Sequence, residues 1–199
     1  MNSRLDTERL SLRRFTHSDE DLLVELDSDP VVMRYLTRGA STPRQFIRDV
    51  VLPAFLRSYW PGEPYGVWAT LERPTGEFVG WVSLKVTDPS ERSIAHLGYR
   101  LRRRAWGKGY ATEASRALMS EGFSRTGVQR ILATTYEENL GSRRVMEKVG
   151  MRLVRRFRPT IEELRSVRTS YIEASEPWEG DDLEYAIERS EWQRIRIDR

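Results

Sequence analysis

Strand-like and helix-like segments alternate along the 199 residues in the order β-α-α-β-β-β-α-β-α-β-β, predicting an α/β (α+β) domain around one central mixed sheet. Two observations carry that expectation most strongly. Residues 65–72 and 77–86 are strand-like runs joined by Arg73-Pro74-Thr75-Gly76, a hairpin signal. A further run, 94–101, passes through Gly107-Lys108-Gly109 straight into a helical stretch with Ala111, Ala114, Leu118, Met119, Gly122 and Phe123 on one face. No repeat or low-complexity tract divides the chain, so one domain spanning 1–199 is expected.

The elements follow in order. Residues 8–15 alternate around Leu10 and Leu12 and suggest a first strand. Thr16-His17-Ser18-Asp19 supplies capping chemistry for a helix that runs to about Asp27 and stops before Pro30. In Thr42-Pro43-Arg44-Gln45, Thr42 reads as the cap of a second helix and Pro43 as its first residue, with a kink at Pro53. The helix beginning near Gly109 is expected to end at a left-handed Gly127. Residues 128–135 read as a strand, and Asn139 as the cap of a helix with Leu140, Val145 and Val149 on its apolar side, ended by Gly150. Residues 151–157 and 183–189 close the strand count at about seven. The polar stretch 158–182 is long for a connection and is expected to hold a short helix near 161–168 or an ordered flap.

Composition excludes several classes of function. With no cysteine there is no disulfide, thiolate metal site or cysteine nucleophile, which fits a cytoplasmic protein. The two histidines, His17 and His96, form no metal-binding pattern, so no metal is expected. No run approaches the ~20 apolar residues of a membrane span, and the first residues lack the apolar stretch of a signal peptide. A formal net charge of +3 does not demand a nucleic-acid partner, although arginines cluster at 100–104, 143–144 and 155–158.

The glycine turn is the most informative stretch. Two glycines between a strand and a helix let backbone amides approach a phosphate, and the helix start adds partial positive charge. Arg100, Arg102, Arg103 and Arg104 stand close by in sequence. A P-loop would need Ser or Thr after Lys108, where Gly109 stands; a dinucleotide fingerprint would need a third glycine at Thr112. The same glycines equally suit a plain strand-to-helix turn.

Three separated pieces resemble the GNAT acetyltransferase superfamily, in particular its ribosomal-protein N-acetyltransferase branch. They are Thr7-Glu8-Arg9-Leu10-Ser11-Leu12-Arg13; Leu97-Gly98-Tyr99 through Trp106-Gly107-Lys108-Gly109-Tyr110-Ala111-Thr112-Glu113-Ala114; and Asn139-x-x-Ser142-Arg143-x-Val145-x-Glu147-Lys148-Val149-Gly150. Residues 184–192 resemble the closing strand. The resemblance implies a GNAT-like single domain, a mostly antiparallel sheet and a splay between the fourth and fifth strands. It implies acetyl-CoA as co-substrate and direct transfer to a primary amine, either a protein N-terminus or a small molecule. The superfamily's Gln/Arg-x-x-Gly-x-Gly/Ala pattern falls on Trp106, Gly109 and Ala111, with Trp106 replacing the polar first residue as a packing group.

By the same resemblance, main-chain groups of Leu97, Gly98, Tyr99, Arg100 and Leu101 would hold the pantetheine arm. Arg104 and the turn Gly107, Lys108, Gly109, Tyr110, Ala111 and Thr112 would hold the pyrophosphate, with Asn139, Ser142 and Arg143 nearby. Many relatives use a tyrosine as acid where this chain has Met146; Ser142 matches the serine that this branch offers instead. A glutamate used as base by some relatives falls on Thr134, and His96 stands where this branch often has a glutamate. Ser142 also reads as a first-turn helix residue, and His96 as a half-buried strand histidine. On the acceptor side, Tyr59, Trp60, Tyr65 and Trp68 could wall a pocket. Glu162, Glu163, Glu173, Glu176, Glu179, Asp181 and Asp182 could attract a cationic amine. Monomer and homodimer are both open. Two other classes compete: an acyl-CoA-binding regulatory or interaction module with little turnover, and an RNA- or ribosome-binding protein. The absence of an aromatic-basic RNA motif counts against the last.

Overall fold

The computed structural model describes residues 4–86, 88, 90–158 and 180–197. Among them eight strands form one sheet: β1 (Arg4–Asp6), β2 (Leu10–Arg14), β3 (Gly66–Glu72), β4 (Phe78–Lys85), β5 (Ile94–Leu101), β6 (Arg130–Tyr136), β7 (Arg152–Phe157) and β8 (Asp182–Glu188). Their spatial order is β1-β2-β3-β4-β5-β6-β8-β7. Every pairing is antiparallel except β5 with β6. The additional strand is β1, three residues whose sides are mostly exposed, too short for periodicity to reveal.

Central strands are covered on both faces, and their sequences are accordingly mostly apolar, as in Gly66–Glu72 and Phe78–Lys85. One face packs against α5 (Tyr110–Arg125), α6 (Leu140–Lys148) and α7 (Arg189–Ile197), around Leu84, Leu97, Leu118, Met119, Met146 and Trp192. The other meets α1 (Glu20–Ser28) and the helical run α3 (Arg44–Phe46), Ile47–Val51, α4 (Leu52–Arg57), around Leu23, Leu26, Ile47, Phe55 and Trp81. A short α2 (Arg34–Thr37) follows α1.

Several local expectations change. Thr42 does not cap the second helix. Its hydroxyl donates to the fully buried Asp27 at 3.0 Å, and Pro43 takes the cap position with no side-chain bond. A buried carboxylate loses more without a partner than an exposed helix start loses without a cap. The Pro53 kink is absorbed upstream by a π-helical turn, Ile47–Val51, which removes the need for a bond to the proline nitrogen. Gly127 is not left-handed: α5 ends on an extended Thr126, whose hydroxyl donates to Gly122 O at 2.8 Å. Leu140 is 53% exposed rather than part of an apolar face, whereas Gly150 does end α6, at φ +95°. The last strand stops at Glu188 and α7 takes over, so the closing segment 184–192 is strand and helix in turn. The helix expected near 161–168 lies outside the described residues.

Candidate active site

The parallel ladder between β5 and β6 is short. It runs Ile94↔Arg130, Ala95↔Ile131, His96↔Leu132 and stops, although both strands continue. On its other side β5 stays paired with β4 as far as Gly80↔Leu101. Arg102 N–H donates to Val79 O at 2.9 Å, which fixes the alternation of the preceding strand. Leu97, Tyr99 and Leu101 therefore turn their main-chain groups away from β4, toward a β6 that has already diverged. Gly98 and Arg100 turn theirs toward β4. This splay is an open slot between two strands, lined by polar backbone.

The slot leads to the glycine turn. Gly107 and Gly109 are left-handed, at φ +74° and +81°, and nothing lies within 4 Å of where a Gly107 side chain would start. Gly109 occupies the cap position of α5 without a side-chain cap, and Glu113 N–H makes its helix bond to Gly109 O at 3.0 Å. The amides of Tyr110, Ala111 and Thr112 precede that bond, so they lack carbonyl partners of their own helix and carry the positive end of its dipole. The turn thus fits an anionic ester of the size of a pyrophosphate.

A latch that sequence reasoning left unassigned holds this turn in place. Glu113 accepts Thr7 Oγ1 at 2.6 Å, Arg9 N–H at 2.9 Å and Arg9 Nε at 2.7 Å, while Arg9 Nη1 donates to Lys108 O at 3.0 Å. Burial alone would raise the Glu113 carboxyl, but the bonds from Thr7 and Arg9 outweigh it and hold it below the ordinary glutamate range. The signal was present in Thr7-x-Arg9 and Glu113, which belong to two of the motifs quoted above. Their contact across 106 and 104 residues was not legible. The Tyr110 hydroxyl adds a bond to Glu72.

Most of the nearby arginines are engaged within the protein. Arg100 pairs with Asp27 at 2.6 Å, Arg102 with Glu25 at 2.6 Å and Arg104 with Glu77. Arg143 braces α6, donating to Glu137 O at 3.1 Å and to the Tyr185 hydroxyl at 3.3 Å. Lys108 lies 5.7 Å from the Tyr110 ring centroid. Arg103 alone of the 100–104 cluster is exposed with no carboxylate partner among the described residues.

Asn139 caps α6 as expected, its Oδ1 accepting Ser142 N–H at 3.2 Å. The Ser142 hydroxyl lies 2.9 Å from the Tyr99 hydroxyl, which also reaches Ser142 O at 3.0 Å. Burial pushes the Tyr99 phenol far up, so it stays protonated. His96 sits on the opposite face of β5, half-buried; burial lowers it from the ordinary 6.5, and the Glu184 charge opposes that shift. Glu184 is the register partner of Thr134 across β6 and β8. It places a carboxylate beyond the threonine that replaced the expected one, a feature sequence reasoning missed. Ser142 and His96 are thus brought to opposite sides of one slot. Met146 is buried in the core.

The aromatic wall does not form. Tyr65 and Trp68 are core residues, at 1% and 4% exposure, and the Tyr59 hydroxyl is tied between Phe15 N–H at 2.7 Å and Val67 O. Trp60 packs edge-on against Tyr65. Of the acidic residues, Asp181 pairs with Arg156 at 3.3 Å and Asp182 begins β8; Glu162, Glu163, Glu173, Glu176 and Glu179 lie outside the described residues. Among the described residues no group of His, Cys, Asp or Glu is placed to hold a metal, and no helix is long and apolar enough to cross a membrane.

A parallel pair that splays beside a strand-glycine-helix turn is the arrangement that resemblance to the acetyl-CoA-dependent acyltransferases implies. Residues 9–152 match the Acetyltransferase (GNAT) domain, and the chain belongs to that family of acetyl-CoA-dependent N-acetyltransferases. It is 28% identical over 96% of its length to the FsC-acetyl coenzyme A-N(2)-transacetylase of Aspergillus fumigatus, covering 79% of that protein. Among solved structures it is similar to a GNAT-family acetyltransferase from Bacillus anthracis, with TM-score 0.73 and 26% identity over 94% of this chain and 99% of the other. RimL, a ribosomal L7/L12 alpha-N-protein acetyltransferase in complex with coenzyme A, shares the fold at TM-score 0.72 and 17% identity, covering 92% and 95%.

Proposed function

We propose that this acetyltransferase moves the acetyl group of acetyl-CoA to a primary amine by direct attack within a ternary complex. The observation that carries the reading is the end of the β5–β6 ladder at His96↔Leu132, beyond which β5 runs on without a β6 partner toward the left-handed glycine turn. The slot suits a thin extended arm, the turn suits its pyrophosphate, and the reacting carbon then lies between His96 and Ser142. His96, kept neutral by burial, takes the proton as the amine nitrogen bonds to the carbonyl carbon. A main-chain N–H of β5 faces the oxyanion. As the tetrahedral species collapses the carbon–sulfur bond breaks, and Ser142 delivers a proton to the departing thiolate. One domain, 1–199, carries the whole site, and the protein works in the cytoplasm as a monomer or homodimer.

Both amine classes find support. The relative with an N(2)-transacetylase name suggests a small molecule, and the RimL likeness a polypeptide N-terminus. Thiol release from acetyl-CoA across a panel of amines and N-terminal peptides tests the proposal. Amine-dependent release is the expected result. Acetyl-CoA binding with no release from any amine would favour a binding module, a reading kept open by Met146 and Thr134 at the positions of the family's acid and base.

A further inference from the structure

Beside the candidate base the sheet carries a cation that the described residues do not neutralise. Lys85 ends β4 and is the register partner of His96, so the two side chains leave the same face of the sheet. Cross-strand neighbours of this kind have Cβ atoms about 5 Å apart. Lys85 is half-buried, its ammonium 5.6 Å from the centroid of the Phe55 ring on α4. Among the described residues no carboxylate lies within ion-pair distance of it. The other charges on this face are engaged elsewhere: Asp27 pairs with Arg100, and Glu184 acts on His96. Burial lowers Lys85 from the ordinary lysine value, and among the described residues no neighbouring charge offsets the loss of hydration. An ammonium that loses hydration with no carboxylate beside it among the described residues has room for a counter-charge, and an anion arriving with the substrate would supply one.

On the acetyl-transfer reading above, we propose that Lys85 is the anion-recognition point of the acceptor pocket, and that preferred acceptors are small amino carboxylates. Their amine and carboxylate are separated by a few bonds. The register sets that span: an amine held at His96 has Lys85 one strand away, and a carboxylate on the same small molecule reaches the ammonium. Lys85 fixes orientation as well as affinity, since the carboxylate can satisfy it only with the amine turned toward His96.

The test is equilibrium titration of the CoA-saturated protein with amines that differ only by a carboxylate: tryptamine against tryptophan, agmatine against arginine, cadaverine against lysine. Wild type should bind the carboxylate-bearing member of at least one pair more tightly by about tenfold or more, or about 1.4 kcal/mol. Lys85→Met should erase that preference, and Lys85→Arg should retain part of it. Lys85→Gln serves as a second neutral variant, and each variant is accepted as folded if CoA still raises its melting temperature. Equal binding within every pair, no binding of any carboxylate, or an undiminished preference in both neutral variants would overturn the inference. An N-terminal aspartyl peptide amide offers the same two groups on a polypeptide. Weaker binding than free aspartate supports the small-molecule assignment, and tighter binding contradicts it. Because the readout is binding, a protein that shows the preference yet never releases CoA thiol would sink the transfer reading and leave Lys85 in its role.

Discussion

At the scale of single residues, Ser142 and His96 lie toward opposite faces of β5 beside the slot, and each depends on a neighbour for its state. On the proposed mechanism the Tyr99 hydroxyl, 2.9 Å from Ser142 Oγ, orients the serine and makes Tyr99 a positioning residue. Ser142→Ala should lower kcat by about 10²-fold with little change in acetyl-CoA affinity. Tyr99→Phe should lower kcat less, with the same split between kcat and KM; an unchanged kcat in Ser142→Ala would return the serine to helix-turn duty. For His96, folding depresses the imidazole below its ordinary 6.5, chiefly by burial. The unfolded chain then takes up a proton at higher pH than the folded one. The histidine's contribution to stability is complete above about pH 6.5 and is lost as pH falls toward the folded value. The rate should follow the same group: kcat/KM rises with pH through a limb below 6.5, and His96→Gln removes that limb together with about 10²-fold of rate. A limb that survives the substitution belongs to another base. His96 and Ser142 could be named from local motif positions, but Tyr99 and Glu184 could not. Their roles arise from contacts over 43 residues and from strand register, which a linear pattern does not contain.

At the scale of elements, α5 and α1 are held by opposite kinds of interaction. The start of α5 is latched by Thr7 and Arg9 on a partly exposed carboxylate, and its first amides have no carbonyl partners within the helix. The end of α1 is pinned by a buried pair, Arg100 to Asp27 at 2.6 Å, with the aspartate at 0% exposure and Thr42 as its second donor. Asp27→Ala leaves a guanidinium buried without its counter-charge and should destabilise the protein by about 3–5 kcal/mol, read as a lower urea midpoint. A loss below about 1 kcal/mol would mean that Arg100 finds water or another acceptor. Helix bodies were legible from apolar spacing, and so were the hairpin and the ends at Asn139 and Gly150. Capping by Thr42 and Gly127 was misread because each residue or its neighbour serves a tertiary contact: Thr42 serves Asp27, and Thr126 takes both Gly122 O and the Tyr65 hydroxyl.

At the scale of the whole molecule, the sheet order places the one parallel pair between two antiparallel groups, and that junction is where the strands part. An antiparallel neighbour on each flank keeps β5 and β6 rigid while their ends diverge, so the slot is a built feature rather than a frayed edge. Its presence followed from family resemblance; alternation of apolar residues alone gave a central sheet without saying where it opens. The pairing of the arginine cluster was hidden for a related reason. Charge is visible in sequence, but the carboxylates of Asp27, Glu25 and Glu77 that consume it come from distant segments. Thermal unfolding with and without acetyl-CoA, for wild type and Gly109→Val, tests the central claim most directly. Gly109 is left-handed at φ +81°, and an added Cβ would stand 3.4 Å from Arg9 Nη2, so the variant both strains the turn and crowds its latch. At about a hundredfold above its dissociation constant, acetyl-CoA should add ~2.7 kcal/mol to the wild type, a rise of roughly 5–10 °C, and should leave the variant unshifted. An unshifted wild type, or an equal shift in both proteins, would contradict the placement of the pyrophosphate at this turn.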